Sequence, residues 1–121
     1  MRAAADAYRT VAKEIASPRD LEANLLLKAA AKLQAISDSW ERDKSGLFEA
    51  LTYNRKLWTV FLDSVTSPDH QLPVEIRENV ASLGVFIMKH TFSVMANPRR
   101  EALASLININ RNLAAGLRAK V

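Results

Sequence analysis

Apolar side chains return every three or four residues along almost the whole chain, and the residues that break helices fall mainly between those runs. Three glycines and four prolines are spread through 121 residues, and no strand-like alternation of apolar and polar side chains appears. This spacing predicts an all-α fold, a single-domain bundle of about five helices covering residues 1–121. A chain of this length buries roughly two-thirds of the surface its unfolded form exposes.

The first expected helix runs from about Ala3 to Ala16, with Ala4, Tyr8, Val11 and Ile15 on one side. Ser17-Pro18-Arg19-Asp20 then combines a capping serine, a proline preset for the first helical position and an acid three residues after the cap. From this start signal a second helix reaches about Trp40 with Leu25, Leu26, Ala29, Leu33, Ile36 and Trp40 along one face. After Asp43-Lys44-Ser45-Gly46, a third carries Leu47, Leu51, Asn54, Leu57, Trp58, Phe61 and Leu62. Two prolines five residues apart make Ser67–Pro73 the longest loop. The fourth helix shows Ile76, Val80, Leu83, Ile87, His90 and Val94, with Gly84 permitting a close neighbour, and stops at Asn97-Pro98. The fifth, from about Arg99 to Arg118, carries Leu103, Leu106, Ile107, Asn110, Leu113 and Leu117.

Two asparagines interrupt these apolar stripes, each followed by arginine, in the shared pattern Leu/Ile-x-Tyr/Ile-Asn-Arg-x-Leu. Asn54 lies two helical turns after Leu47 and so points towards the core. An unpaired polar group there costs about 1–3 kcal/mol, so Asn54 and Asn110 are expected either as interhelical hydrogen-bond anchors or as contacts in a partner groove. The anchor reading is favoured. Arg55 and Arg111 fall about 100° further round, at the stripe edge, where rim salt bridges or partner contacts are the alternatives. Trp58, like Trp40 and Phe61, suits a core, although tryptophan beside arginine is also the chemistry of binding hot spots.

Several function classes are disfavoured. Cysteine is absent, which removes disulfides and thiolate metal sites and leaves a reducing cytoplasm as the expected compartment. The amino-terminal residues lack a signal-peptide pattern, and lysines interrupt every run that could span a membrane. The two histidines, His70 in a loop and His90 on an apolar stripe, have no local triad partner, and phosphate-loop and dinucleotide fingerprints are missing. His90 is expected to donate to a backbone carbonyl. No enzyme activity, cofactor or metal is expected. The net charge of +4 is clearly biased only in the tail, where Arg99, Arg100, Arg111, Arg118 and Lys120 face Glu101 alone. That bias fits a helix end better than a nucleic-acid site.

Ser17-Pro18-Arg19-Asp20, Asn54-Arg55-Lys56-Leu57-Trp58, His90-Thr91 and Ile107-Asn108-Ile109-Asn110-Arg111 through Gly116-Leu117 occur in that order. On these segments the chain resembles the FlaF family of flagellar biosynthesis regulators over nearly its whole length. Asn108 stands where the family pattern has an acid. The resemblance implies a small cytoplasmic protein that promotes flagellin synthesis and export as a flagellin-binding secretion chaperone, with the regulator FlbT as a second partner. Direct binding of flagellin messenger RNA through the basic tail, or action only through FlbT, are the alternatives. Asn54, Arg55, Trp58, Asn110 and Arg111 are the positions expected to contact a partner or support its site.

Overall fold

The computed structural model describes residues 18–70 and 72–119. The expected helix Ala3–Ala16 and its following cap Ser17 lie outside the described residues. Among the described residues the fold is all-α, with four α-helices and no strand. They are α1 (Pro18–Asp38), α2 (Leu47–Val65), α3 (Val74–Ala96) and α4 (Leu103–Arg118), the last preceded by a 3-10 turn, Arg100–Ala102.

Each boundary has a local cause. α1 stops at Asp38 and not at Trp40 because the chain tightens there. Trp40 N–H donates to the Ser37 carbonyl at 3.3 Å, and the Ser39 hydroxyl donates to the Asp43 carbonyl at 2.7 Å. Asp43 then accepts the Ser45 N–H at 2.9 Å, an Asx turn that reverses the chain into α2. Pro73, with ψ of 149°, precedes the first helical residue of α3. α3 ends where Asn97, forced from helical geometry by the following Pro98, takes φ −144° and ψ 85°. The last helix was expected to start at Arg99. Arg99 is instead extended, and residues 100–102 make a single tighter turn, with Ala102 N–H donating to the Arg99 carbonyl at 3.1 Å.

α1 packs most extensively on α4, and α2 bridges α1 to α3. The contacts Asn24–Arg118, Gln34–Arg111 and Ser37–Arg100 show that α1 and α4 run antiparallel. Their seam is close because small residues line it, with Ala23, Ala29 and Ala30 on α1 and Ala114 on α4 all buried. Around it the core closes over Leu26, Leu33, Leu51, Trp58, Leu103 and Leu106.

α3 packs on α2, and its buried face keeps Val80, Ile87 and Val94 of the expected stripe but takes in Gly84 and Thr91, while Ile76 is left out, 45% exposed. Gly84 explains the shift. A Cβ built there would fall 2.7 Å from both Cγ and Cδ1 of Leu62, so α3 lies against α2 at a distance only glycine permits. Leu72, in the loop expected between the two prolines, is buried and pins that loop to the core. Arg77 fixes it further, its Nε donating to the Leu72 carbonyl at 3.1 Å and its Nη1 to the Ser67 carbonyl at 3.0 Å.

Candidate partner-binding groove

The polar residues singled out in the sequence separate into two settings. Asn54, Trp58 and Asn110 meet in the centre of the bundle, each 0% exposed. Trp58 Nε1 donates to Asn110 Oδ1 at 2.9 Å, and Asn110 Nδ2 donates to Asn54 Oδ1 at 2.6 Å and to the Leu26 carbonyl at 3.4 Å. This chain of bonds joins α1, α2 and α4 through their shared core. Asn54 Nδ2 and the Thr91 hydroxyl are buried without a hydrogen-bond partner. The ring of Trp58 also meets Phe61 edge to face, with centroids 5.7 Å apart.

Arg55 and Arg111 are not brought together. Arg55 is half-buried on α2, and Arg111 is exposed on α4, where its guanidinium donates to Gln34 Oε1 at 3.4 Å. His90 is half-buried, stacked on Phe86 at 5.2 Å, with Nε2 2.7 Å from the Ala102 carbonyl. A carbonyl can only accept, so Nε2 carries the proton and the ring ties α3 to the turn before α4. Among the described residues no three His, Asp or Glu side chains converge as metal ligands would, and no helix is long and apolar enough to cross a membrane.

A concavity lies elsewhere among the described residues. A groove of about 640 Å³ opens between the first two turns of α1 and the second half of α2, with the following loop at one end. Leu21 and Leu25 form one wall and Leu57, Val60 and Phe61 the other. Val60 is 68% and Leu21 49% exposed, a large fraction for aliphatic side chains facing one another across a cleft. Leu25, Leu57 and Phe61 were read in the sequence as core. Leu21 and Val60 were not singled out, although Leu21–Leu25 and Leu57–Val60 are helical neighbours and mark a second apolar stripe beside the first.

Charge rings this apolar floor. Glu22, Asp63 and Asp69 stand at its edge with Arg19 and His70. Burial against the wall raises the Glu22 carboxyl above the usual carboxylate range, with Arg19 acting in the opposite direction. His70 is held below the usual imidazole range, first by burial and then by the positive charges of Arg77 and Arg19. Its Nδ1 accepts the Leu72 N–H at 3.2 Å and is therefore unprotonated. Ser64 and Ser67 also line the groove beside Asp69 and His70, with Ser67 Oγ accepting the Asp69 N–H at 3.4 Å and His70 Nδ1 engaged by the Leu72 N–H; the apolar walls suit the arrangement to hold an apolar surface.

A basic feature lies further along the α1–α2 pair, one turn beyond Leu25 on α1 and one turn before Leu57 on α2. Lys32 and Lys28 approach the face of Tyr53, at 4.9 and 5.8 Å from the ring centre. The lysines thereby cover the aromatic ring and keep their charges in water.

Comparison with protein families finds a match to the family described as flagellar protein FlaF, over residues 4–117. No curated protein and no solved structure matches the chain.

Proposed function

The chain belongs to the FlaF family of flagellar proteins, and from that premise we propose that it is a cytoplasmic chaperone and positive regulator that binds flagellin and promotes its synthesis and export. The observation that carries this reading is the open groove between α1 and α2, whose apolar walls face water across a cleft. An amphipathic helix of a partner buries its own apolar stripe there, with affinity supplied by removal of both surfaces from water. Such a protein acts by shielding and delivery. The central Asn54–Asn110–Trp58 cluster supports the groove from beneath: Trp58 packs on Phe61, which forms part of the groove wall.

Size-exclusion chromatography and calorimetry with purified flagellin test the proposal. A stoichiometric complex is expected, changing little between low and moderate salt, and Val60→Asp is expected to abolish it while leaving the helical circular dichroism intact. A Val60→Asp protein that binds flagellin as tightly as the parent would remove the groove from the mechanism. Binding only to FlbT, or to flagellin messenger RNA with a steep loss of affinity as salt rises, would replace the chaperone reading by one of its two competitors.

A further inference from the structure

We infer that the groove between α1 and α2 sets the direction of its guest: an amphipathic helix of about three turns lies parallel to α2, with its acidic first turn over a group of lysines and its basic last turn over a group of acids. The inference rests on the flagellin-binding reading for the guest's identity, whereas its physical content is the charge asymmetry of the groove.

The groove and the lysine–tyrosine cluster belong to one surface. On α1, Leu21, Leu25, Lys28 and Lys32 follow at steps of four, three and four residues, and on α2 Tyr53, Leu57, Val60 and Ser64 do the same. Each set is a single row along its helix. The rows run in opposite senses, because the start of α1 and the end of α2 line the groove together while Lys28 and Lys32 meet Tyr53 in the first half of α2. Eleven residues of helix make each row about 16 Å long, the length of a three-turn guest.

Charge divides this surface into two ends. Where the chain enters α1, Glu22, Asp63 and Asp69 face Arg19, and His70 is neutral as the acceptor of the Leu72 N–H. Arg77, held by the Leu72 and Ser67 carbonyls, reduces that acidic excess without cancelling it. At the other end Lys28 and Lys32 lie over Tyr53, Lys56 lines a hollow beside the same ring, and Glu49 is the acid there. Between the two ends stand Leu25, Leu57 and Val60.

A guest helix brings two opposing electrical features. Its backbone places about half a positive charge at the first turn and half a negative charge at the last, which alone would send the first turn to the acids. Helices favour Asp or Glu in the first turn and Lys or Arg in the last, and one or two whole charges outweigh the half. Side chains therefore set the direction, and a guest with its end charges exchanged lies the other way round. The two ends of the groove largely offset one another, so salt alters the choice of direction more than the affinity.

Two synthetic peptides test this, each a helix of about 14 residues fixed by a hydrocarbon staple and carrying the same leucine stripe. One has glutamates in its first turn and lysines in its last, and the other has them exchanged. Each bears a nitroxide at its N-terminus, and the amide resonances of the full-length protein report where that end lies. The first peptide is expected to broaden Lys32 and Tyr53 and the second Ser64 and Asp69, with a roughly tenfold preference at low salt that fades at about 1 M. Lys28→Glu combined with Lys32→Glu, checked for unchanged circular dichroism, is expected to abolish the first peptide's preference. Both peptides broadening the same end, equal broadening at both ends, or no broadening along the groove would overturn the inference. Flagellin calorimetry on the same protein separates the two readings. Sorted peptides without flagellin binding leave the directional groove standing and remove the chaperone, and flagellin binding with unsorted peptides does the reverse.

Discussion

At the residue scale the two asparagines look equivalent in sequence but are not equivalent in the bundle. Asn110 uses both ends of its amide, accepting from Trp58 and donating to Asn54 and to the Leu26 carbonyl. Asn54 accepts one bond and leaves Nδ2 without a partner. Asn110→Leu would strand the Trp58 indole N–H and the whole Asn54 amide in the core, at a cost of about 3–5 kcal/mol. Asn54→Leu removes a donor that is already unsatisfied and leaves Asn110 its bond to Leu26, so its cost is about 1–2 kcal/mol. Urea denaturation of the two variants checks the inequality, and equal costs would contradict this network. The inward placement of both asparagines is legible in sequence because each falls on its helix's apolar stripe, Asn54 two turns beyond Leu47. Their contact with each other is not. It depends on the register between α2 and α4, which no spacing within one helix encodes. Thr91 was missed as a core position because a single threonine among apolar residues gives no sign of which way α3 turns.

At the scale of elements, α3 shows how one small residue decides a face. The sequence stripe through Ile76, Leu83 and His90 weighs hydrophobicity alone, whereas the seam is chosen by how closely α3 approaches Leu62 at Gly84. Gly84→Ala gains helix propensity worth about 1 kcal/mol but overpacks a site where the obstructing atoms include the branch point of Leu62. The net expectation is destabilisation of about 1–2 kcal/mol. Adding Leu62→Ala should cost less than its own separate effect, a coupling that a double-mutant cycle of thermal or urea melts would detect. The loop leading into α3 depends on protonation. His70 titrates below its usual range, so it binds fewer protons folded than unfolded. Its contribution is present above the unfolded value of about 6.5 and disappears as pH falls through the lowered folded value. Hydrogen exchange at the Leu72 amide should therefore lose protection on acidification from pH 7 to 5. In His70→Ala, protection should already be low at pH 7 and should hardly change across that interval. The loop was legible as a break from its prolines, but Leu72 and Arg77, which hold it in place, were not, since Leu72 is fixed by burial in the core and by the His70 ring, and Arg77 by backbone carbonyls five and ten residues away.

For the whole molecule, the groove proposed to take a partner also places a charge where the isolated bundle would be better without one. Glu22 has its carboxyl against the apolar wall, and burial raises its folded titration above the usual carboxylate range despite the opposing charge of Arg19. The folded protein consequently holds that proton to higher pH than the unfolded chain, whose glutamates titrate near 4.3. The stability associated with protonated Glu22 is complete below that value and is lost as pH rises through the raised folded value. At pH 7 the carboxylate is thus a net cost that Glu22→Gln removes, since the amide keeps the shape and carries no charge. The variant should melt at a higher temperature than the parent at pH 7, and the difference should shrink to nothing near pH 4. A parallel-melting pair at pH 7 would mean that water reaches Glu22 well enough to cancel its burial. The same substitution probes function from the opposite direction. Arg19 offsets the burial of Glu22 only in part, and positive charge on a helix across the cleft would offset more of it, so Glu22→Gln should stabilise the bundle while weakening the hold of any basic-edged helix within it. Stability and recognition are therefore expected to move in opposite directions at this one position, and melts and flagellin calorimetry on the same preparation would show that divergence.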